Sequence, residues 1–291
     1  MARLAQWVEG ARPRTLPAAI APVAVGTGLA IRADAFVPLL AGLCLIVAIA
    51  LQVGVNFAND YSDGVKGTDE RRVGPVRLVG QGLASPGAVR AAAFASFIVA
   101  MLAGLAITAI IGQWWLLAVG AACVAAAWLY TGGPRPYGYH GLGEVFVLVF
   151  FGLVPVCGTE YVQALSVTAA GVLGGIAVGL LACAVLVTNN LRDIPTDRVT
   201  GKRTLAVRLG DPATRALYVT TIATAAAATV LMAFMTTPWL LITLIAFGFA
   251  VPPLRVVYSG AVGPSLIPAR KGTGILLLAY GLIVGTGLAV L

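Results

Sequence analysis

Charge is the scarcest commodity in this chain. Asp, Glu, Lys and Arg make up 10% of its 291 residues, against roughly 25% in an average soluble domain. A water-facing globule of this length has too little charge here to cover its surface, so a soluble fold is excluded. Histidine occurs once, as His140, which rules out a metal centre built on imidazoles. The four cysteines (Cys44, Cys123, Cys157 and Cys183) all lie inside apolar runs. They have neither metal-ligand spacing nor the pattern of a disulfide framework. No Gly-x-x-x-x-Gly-Lys-Ser/Thr loop is present, so nucleotide hydrolysis has no support. Acidic residues number 11 against 19 Lys and Arg, a net charge of +8. In a soluble protein that excess would suggest nucleic acid. In so apolar a chain it is the usual enrichment of basic residues on the cytoplasmic side of membrane helices, and no nucleic-acid partner is expected.

What the chain has instead is hydrocarbon, at 59% hydrophobic residues. A spanning helix takes about 20 apolar residues. Apolar runs broken by Gly, Pro and charge predict nine helices, at 15–31, 36–58, 88–111, 114–130, 144–162, 166–191, 213–235, 239–257 and 272–290. The expected architecture is all-α: a polytopic membrane protein forming one domain over 1–291, with nine transmembrane helices bundled around a central cavity. Stretches such as Ala91–Ala109 and Ala118–Ala127 are rich in small residues, which let helix backbones approach closely in lipid. With the N-terminus inside, 18 of the 19 Lys and Arg residues fall on the cytoplasmic side and only Arg32 falls outside. The reading is a multi-pass plasma-membrane protein whose N-terminus and long polar loops, 59–87 and 192–212, face the cytoplasm. Function is sought in those loops.

Two polar clusters mark the inner ends of helices two and six: Asn56-Phe-Ala-Asn59-Asp60-Tyr-Ser-Asp63-Gly-Val-Lys66, and Asn189-Asn190-Leu-Arg192-Asp193-Ile-Pro-Thr-Asp197. Asn56 and Asp60, like Asp193 and Asp197, are four apart. Asp60 and Asp63, like Asn190 and Asp193, are three apart, so helical continuation places each set on one face. Carboxylates beside a membrane are expensive and usually mark a site. Val76-Arg77-Leu78 and Val207-Arg208-Leu209 echo one another after the two clusters, which suggests a duplicated four-helix unit that sets the clusters across a shared cavity. Facing carboxylate and amide oxygens suit Mg²⁺, which takes one or two carboxylates and leaves positions for water and substrate phosphate. Lys66, Arg71, Arg72, Arg77, Lys202 and Arg203 flank the clusters and suit diphosphate oxygens. A diphosphate captured beside a bundle of apolar helices suggests a lipid diphosphate with its tail in the bilayer.

These residues carry a resemblance. Asn56-x-x-x-Asp60-x-x-Asp63 and Asn190-x-x-Asp193-x-x-x-Asp197 resemble the two aspartate-rich motifs of the UbiA superfamily of intramembrane prenyltransferases. The run from Asn59 to Asp69, then Gly74-Pro75-Val76-Arg77, Tyr130-Thr131-Gly132-Gly133-Pro134, Gly141-Leu142-Gly143-Glu144 and Gly201–Gly210 is similar to the branch that prenylates 1,4-dihydroxy-2-naphthoate in menaquinone biosynthesis. The chain departs from the broader pattern at Gly67 and Asn190, where that family often has aspartate.

The resemblance implies a polyprenyl diphosphate donor and a metal site of Mg²⁺ held by Asp60 and Asp193, with Asn56, Asp63, Asn190 and Asp197 as further oxygen ligands. It implies diphosphate binding by Lys66, Arg72, Arg77, Lys202 and Arg203, and catalytic roles for Asp60, Asp63, Asp193 and Asp197. Tyr130 either contacts the diphosphate or allylic cation, or is an interfacial tyrosine. Arg14 either holds the acceptor carboxylate or belongs to the basic inner face. Another aromatic or phosphosugar acceptor leaves the same site intact. A transporter is the rival from a different class, with polar residues marking an ion path.

Overall fold

The structure, a computed structural model, describes residues 2–67 and 76–291. Every element among the described residues is helical. A short amphipathic helix α1 (Leu4–Ala11) leads into α2 (Pro17–Arg32), the two bent by 48°. Proline at the first helical position starts α2, α3 (Pro38–Val65), α4 (Pro86–Ile111) and α10 (Pro238–Tyr258). The missing proline N–H is no loss there, because that position has no intrahelical acceptor. The others are α5 (Leu116–Leu129), α6 (Gly143–Ala164), α7 (Ala169–Val199), the single turn α8 (Leu205–Leu209), α9 (Asp211–Met235) and α11 (Gly263–Val290).

Among the described residues, seven helices (α3, α4, α6, α7, α9, α10 and α11) are long and apolar enough to cross a membrane. All nine expected apolar segments are helical, but two are shorter: α2 has 16 residues and reaches spanning length only with α1, and α5 has 14. Large apolar side chains such as Leu102, Ile110, Phe234, Trp239 and Ile245 are exposed on the outside, where lipid replaces water as solvent.

Helix α7 is the axis, with two thirds of its apolar stretch (67%) buried. It packs on α2, α6, α9 and α11, and α3 packs on α4. Glycine sets the tightest seam. A Cβ on Gly28 of α2 would lie 2.2 Å from the carbonyl oxygen of Gly285 on α11. A second seam joins α6 to α7, where Gly152 meets Gly175 and Gly179 within a widened π turn at Val149–Leu153. Such turns are frequent at functional sites.

Two helices run further than their apolar residues suggest. Helix α3 continues past residue 58 to Val65, and α7 past 191 to Val199, through Pro195. Asp60, Ser62 and Asp63 of α3 and Asn190, Arg192 and Asp193 of α7 are polar yet buried, and the final turn of α7 past Ile194 is mostly exposed, so hydrophobicity stops short of both helix ends. The Val-Arg-Leu echo has no shared local structure: Val76 and Arg77 are irregular and a turn begins at Leu78, whereas Val207–Leu209 lie in α8. Contacts sort the loops into two ends. Arg32 donates to the Thr236 carbonyl and Val37 N–H to Gln163 at one. Lys66 donates to Thr131 and Arg203 N–H to Tyr139 at the other.

Candidate active site

The inner ends of α3 and α7 meet across a polar cavity of about 210 Å³. Asp63 lines it and gathers partners from three other segments, although the polar cluster alone does not single it out. Its carboxylate accepts from the Tyr139 hydroxyl at 2.5 Å, from Lys202 Nζ at 3.3 Å and from Arg77 Nη2 at 3.5 Å. Lys202 comes from the loop after α7, 139 residues away in sequence. The two distant polar stretches therefore converge. Asn190, Asp193 and Asp197 line the same cavity, as do Tyr130 and Arg14.

The first cluster has a different register from the one expected. Asp60 does not line the cavity. It is fully buried, and its two oxygens accept the backbone N–H groups of Leu78 and Val79 at 2.7 and 3.1 Å. That bond pair holds the returning loop, and with it Arg77, against α3. Asn56 is likewise committed, donating to the Ala11 carbonyl and Thr15 Oγ1 at 2.9 Å each. The face turned to the cavity carries Gln52, Asn59 and Asp63, spaced seven and four apart. Asn59 is therefore a site residue that motif matching passed over, and its Oδ1 accepts from Thr131 Oγ1 at 2.7 Å. The seven-and-four spacing puts these three on one helical face, but Gln52, Asn56 and Asp60, each four apart, make an equally regular one, so spacing did not choose between them.

The second cluster brings a cation of its own. Arg192 Nε and Nη2 grip the two oxygens of Asp193 at 2.6 and 2.7 Å, and Nη2 also reaches Asn189 Oδ1 at 3.0 Å. Arg192 and Arg270 of α11 line the cavity, and sequence reasoning missed both. Asn190 Nδ2 donates to Glu144 Oε1 at 3.1 Å. Two expected cations stand back from the cavity lining. Lys66 donates to the Thr131 carbonyl at 2.7 Å and lies 5.1 Å from the Tyr139 ring centroid, with Lys202 at 4.5 Å from the same ring. Partial burial lowers the Lys66 pKa from the ordinary lysine value; Asp63 opposes that shift and Lys202 adds to it. The Arg203 side chain is exposed, while its backbone N–H donates to the Tyr139 carbonyl at 2.9 Å. Arg71 and Arg72 lie outside the described residues.

The cavity presents carboxylates (Asp63, Asp193, Asp197) and amides (Asn59, Asn189, Asn190), with no thiol or imidazole on its wall. This all-oxygen donor set fits a hard divalent cation. Among the described residues, no three His, Cys, Asp or Glu side chains gather closely enough to cage an ion unaided. That suits an ion sharing its shell with a substrate phosphate. Gln52, Asn59, Tyr130, Val147 and Phe151 also border a second, apolar chamber of about 550 Å³ between α3, α4, α5 and α6. Tyr137, Phe146 and Phe150 stack along its wall, with centroids 3.8 and 5.8 Å apart.

A polar, cation-rich pocket sharing a wall with an apolar chamber suits a lipid diphosphate, and the family model described as the UbiA prenyltransferase family matches residues 19–262. The chain belongs to the UbiA prenyltransferase family. Within that family it is 54% identical to the 1,4-dihydroxy-2-naphthoate octaprenyltransferase of Mycobacterium tuberculosis, over 99% of this chain and 98% of that one. It is 45% identical to the enzyme of the same name from Escherichia coli, over 72% of this chain and 70% of that one. Its fold matches a UbiA homolog from Archaeoglobus fulgidus bound to DMAPP and Mg²⁺ with a TM-score of 0.68 at 16% identity, covering 98% of this chain and all of that one (100%). This UbiA-family chain is a multi-pass membrane protein.

Proposed function

We propose that this chain transfers a polyprenyl group from a polyprenyl diphosphate to 1,4-dihydroxy-2-naphthoate, with loss of diphosphate and CO₂, giving demethylmenaquinol for menaquinone biosynthesis. The observation that carries the reading is the 54% identity over nearly the whole chain to an enzyme of that name. The cavity and chamber supply the physical basis. The isoprenoid tail lies in the apolar chamber, and its diphosphate sits among Arg77, Lys202 and Arg192, with Lys66 and Arg203 flanking. Arg72 is proposed for the same task from the motif.

Asp63, Asp193 and Asp197 would hold Mg²⁺ with amide oxygens of Asn59 and Asn190, and the ion would neutralise the departing diphosphate. Asp60 and Asn56 act behind that set, by fixing the loop and the N-terminal segment. The cationic side chains move from the protein's own carboxylates toward the phosphate oxygens as substrate enters. The allylic C–O bond breaks with its electron pair leaving on diphosphate. Tyr130 stands where the two cavities join, beside the carbon that becomes electron-poor; aromatic faces stabilise such charge. The naphthoate ring carbon bearing the carboxylate attacks, and C–C cleavage releases CO₂ and restores aromaticity. Arg14, on the cavity wall, pairs with that carboxylate before attack.

The architecture proposed with this chemistry is nine spans, α2 and α5 included, from a duplicated four-helix unit. The N-terminus and the charged loops lie at the cytoplasmic face of the plasma membrane. The test is the purified protein with one prenyl diphosphate, Mg²⁺ and a panel of aromatic and phosphosugar acceptors. The expected outcome is diphosphate release and a prenylated product only with dihydroxynaphthoate, abolished by EDTA and restored by Mg²⁺. Turnover with another acceptor and none with dihydroxynaphthoate overturns the assignment.

A further inference from the structure

Glu144 opens α6 behind the cavity wall, and the chemistry above gives it no task. It does not line the cavity. Its Oε1 accepts Asn190 Nδ2 at 3.1 Å across the α6–α7 seam, while its Oε2 is buried with no hydrogen-bond partner. Cys183 Sγ donates to the Glu144 carbonyl at 3.1 Å, tying the backbone to α7 as well. Asn190 does line the cavity.

An asparagine amide has two ends of similar shape and opposite chemistry: a carbonyl oxygen that accepts, and an NH₂ that donates. A divalent cation binds only the first. Nothing in the asparagine itself chooses between them. A carboxylate beside it does, because it only accepts. The NH₂ faces Glu144 Oε1 at 3.1 Å, and the oxygen then points the other way. We propose that Glu144 is a positioning residue that locks the Asn190 amide with its oxygen toward the cavity, so that a neutral side chain serves as an oxygen ligand for the cation arriving with diphosphate. This rests on the metal-diphosphate reading above.

The arrangement predicts a specific dependence between the two positions. Aspartate at 190 presents oxygen at both ends and needs no orienting partner, but beside Glu144 it places two carboxylates in contact. Asn190→Asp alone is therefore unfavourable, Glu144→Ala alone is unfavourable, and the two together repair one another. A merely structural role for Glu144 predicts losses that add.

The experiment measures Mn²⁺ binding by electron paramagnetic resonance on the full-length detergent-purified protein, with inorganic diphosphate present and thermal unfolding recorded in parallel. E144A should weaken Mn²⁺ binding about 10–100-fold, as loss of an orienting partner typically does. E144Q, which can face Asn190 with either end, should fall between E144A and the wild type. The E144A/N190D double variant should bind more tightly than either single one. If E144A does not fold, N190D and E144Q/N190D decide instead, the second expected to recover what the first loses. Wild-type affinity in E144A, or no recovery in the double variants, overturns the inference and leaves the proposed reaction standing. No Mn²⁺ binding by the wild type overturns both.

Discussion

Asp60 and Asp63 differ by three positions and do opposite things. Asp60 spends both oxygens on backbone amides; Asp63 faces the cavity with a lysine, an arginine and a tyrosine around it. Removing an acceptor from buried N–H groups costs about 1–3 kcal/mol each. Asp60→Ala should therefore lower the unfolding temperature clearly and depress turnover through the displaced loop. Asp63→Asn should cut turnover on the order of 100-fold or more, as loss of a charge-stabilising contact does, with a smaller thermal shift. Unfolding in detergent and diphosphate release, measured on both variants, separate the roles. Equal thermal loss in the two would show that the division is wrong. Both aspartates could be found by eye in the sequence. Which of them faces the cavity could not, because helical phase is settled by what packs on either side.

Among the helices, the tightest backbone contact is the seam between α2 and α11. With a Cβ at position 28 only 2.2 Å from a backbone oxygen, the strain cannot be relieved by turning a side chain. Gly28→Ala should destabilise by about 1–3 kcal/mol, the usual cost of overpacking. Gly42 of α3 has open space where its Cβ would be, so Gly42→Ala should be neutral or slightly stabilising, since glycine inside a helix costs roughly 0.5–1 kcal/mol relative to alanine. Thermal unfolding of the pair checks this; equal shifts would contradict the seam. Helix positions were readable from apolar runs, including the two short ones. The polar ends of α3 and α7 were not, since residues such as Asp63 and Asp193 are buried against protein, which does not require them to be apolar, and the last turn of α7 is exposed.

For the whole molecule, the proposed reading sets the headgroup in the polar cavity and the tail in the apolar chamber, with Tyr130 on the wall of both. Gly104 and Gly158 line the apolar chamber with nothing within 4 Å of where a Cβ would sit. Gly104→Phe and Gly158→Phe should therefore shorten the longest prenyl chain accepted, while turnover of a short prenyl diphosphate persists. Product length with a mixed-donor assay reads this out, and unchanged products would place the tail elsewhere. The cytoplasmic orientation has its own check. Single cysteines introduced at exposed Arg203 and exposed Asp34 should label from opposite sides of the membrane. Labelling from one side would overturn the proposed topology.

Composition and apolar periodicity alone determined that this chain lives in lipid, where its long apolar helices run, and that two polar clusters sit at helix ends, the places proposed to carry its chemistry. These follow from local physics: backbone hydrogen bonds must close inside each apolar segment, and isolated carboxylates are too costly there to be incidental. Folding in three dimensions decided which oxygens share a cavity. Asn59 and Asp63 turn inward while Asn56 and Asp60 are used up as struts, and Arg77, Tyr139, Arg192 and Lys202 reach the site from separate loops and helices. Those choices depend on contacts between residues as many as 139 positions apart, for which a one-dimensional pattern holds no record.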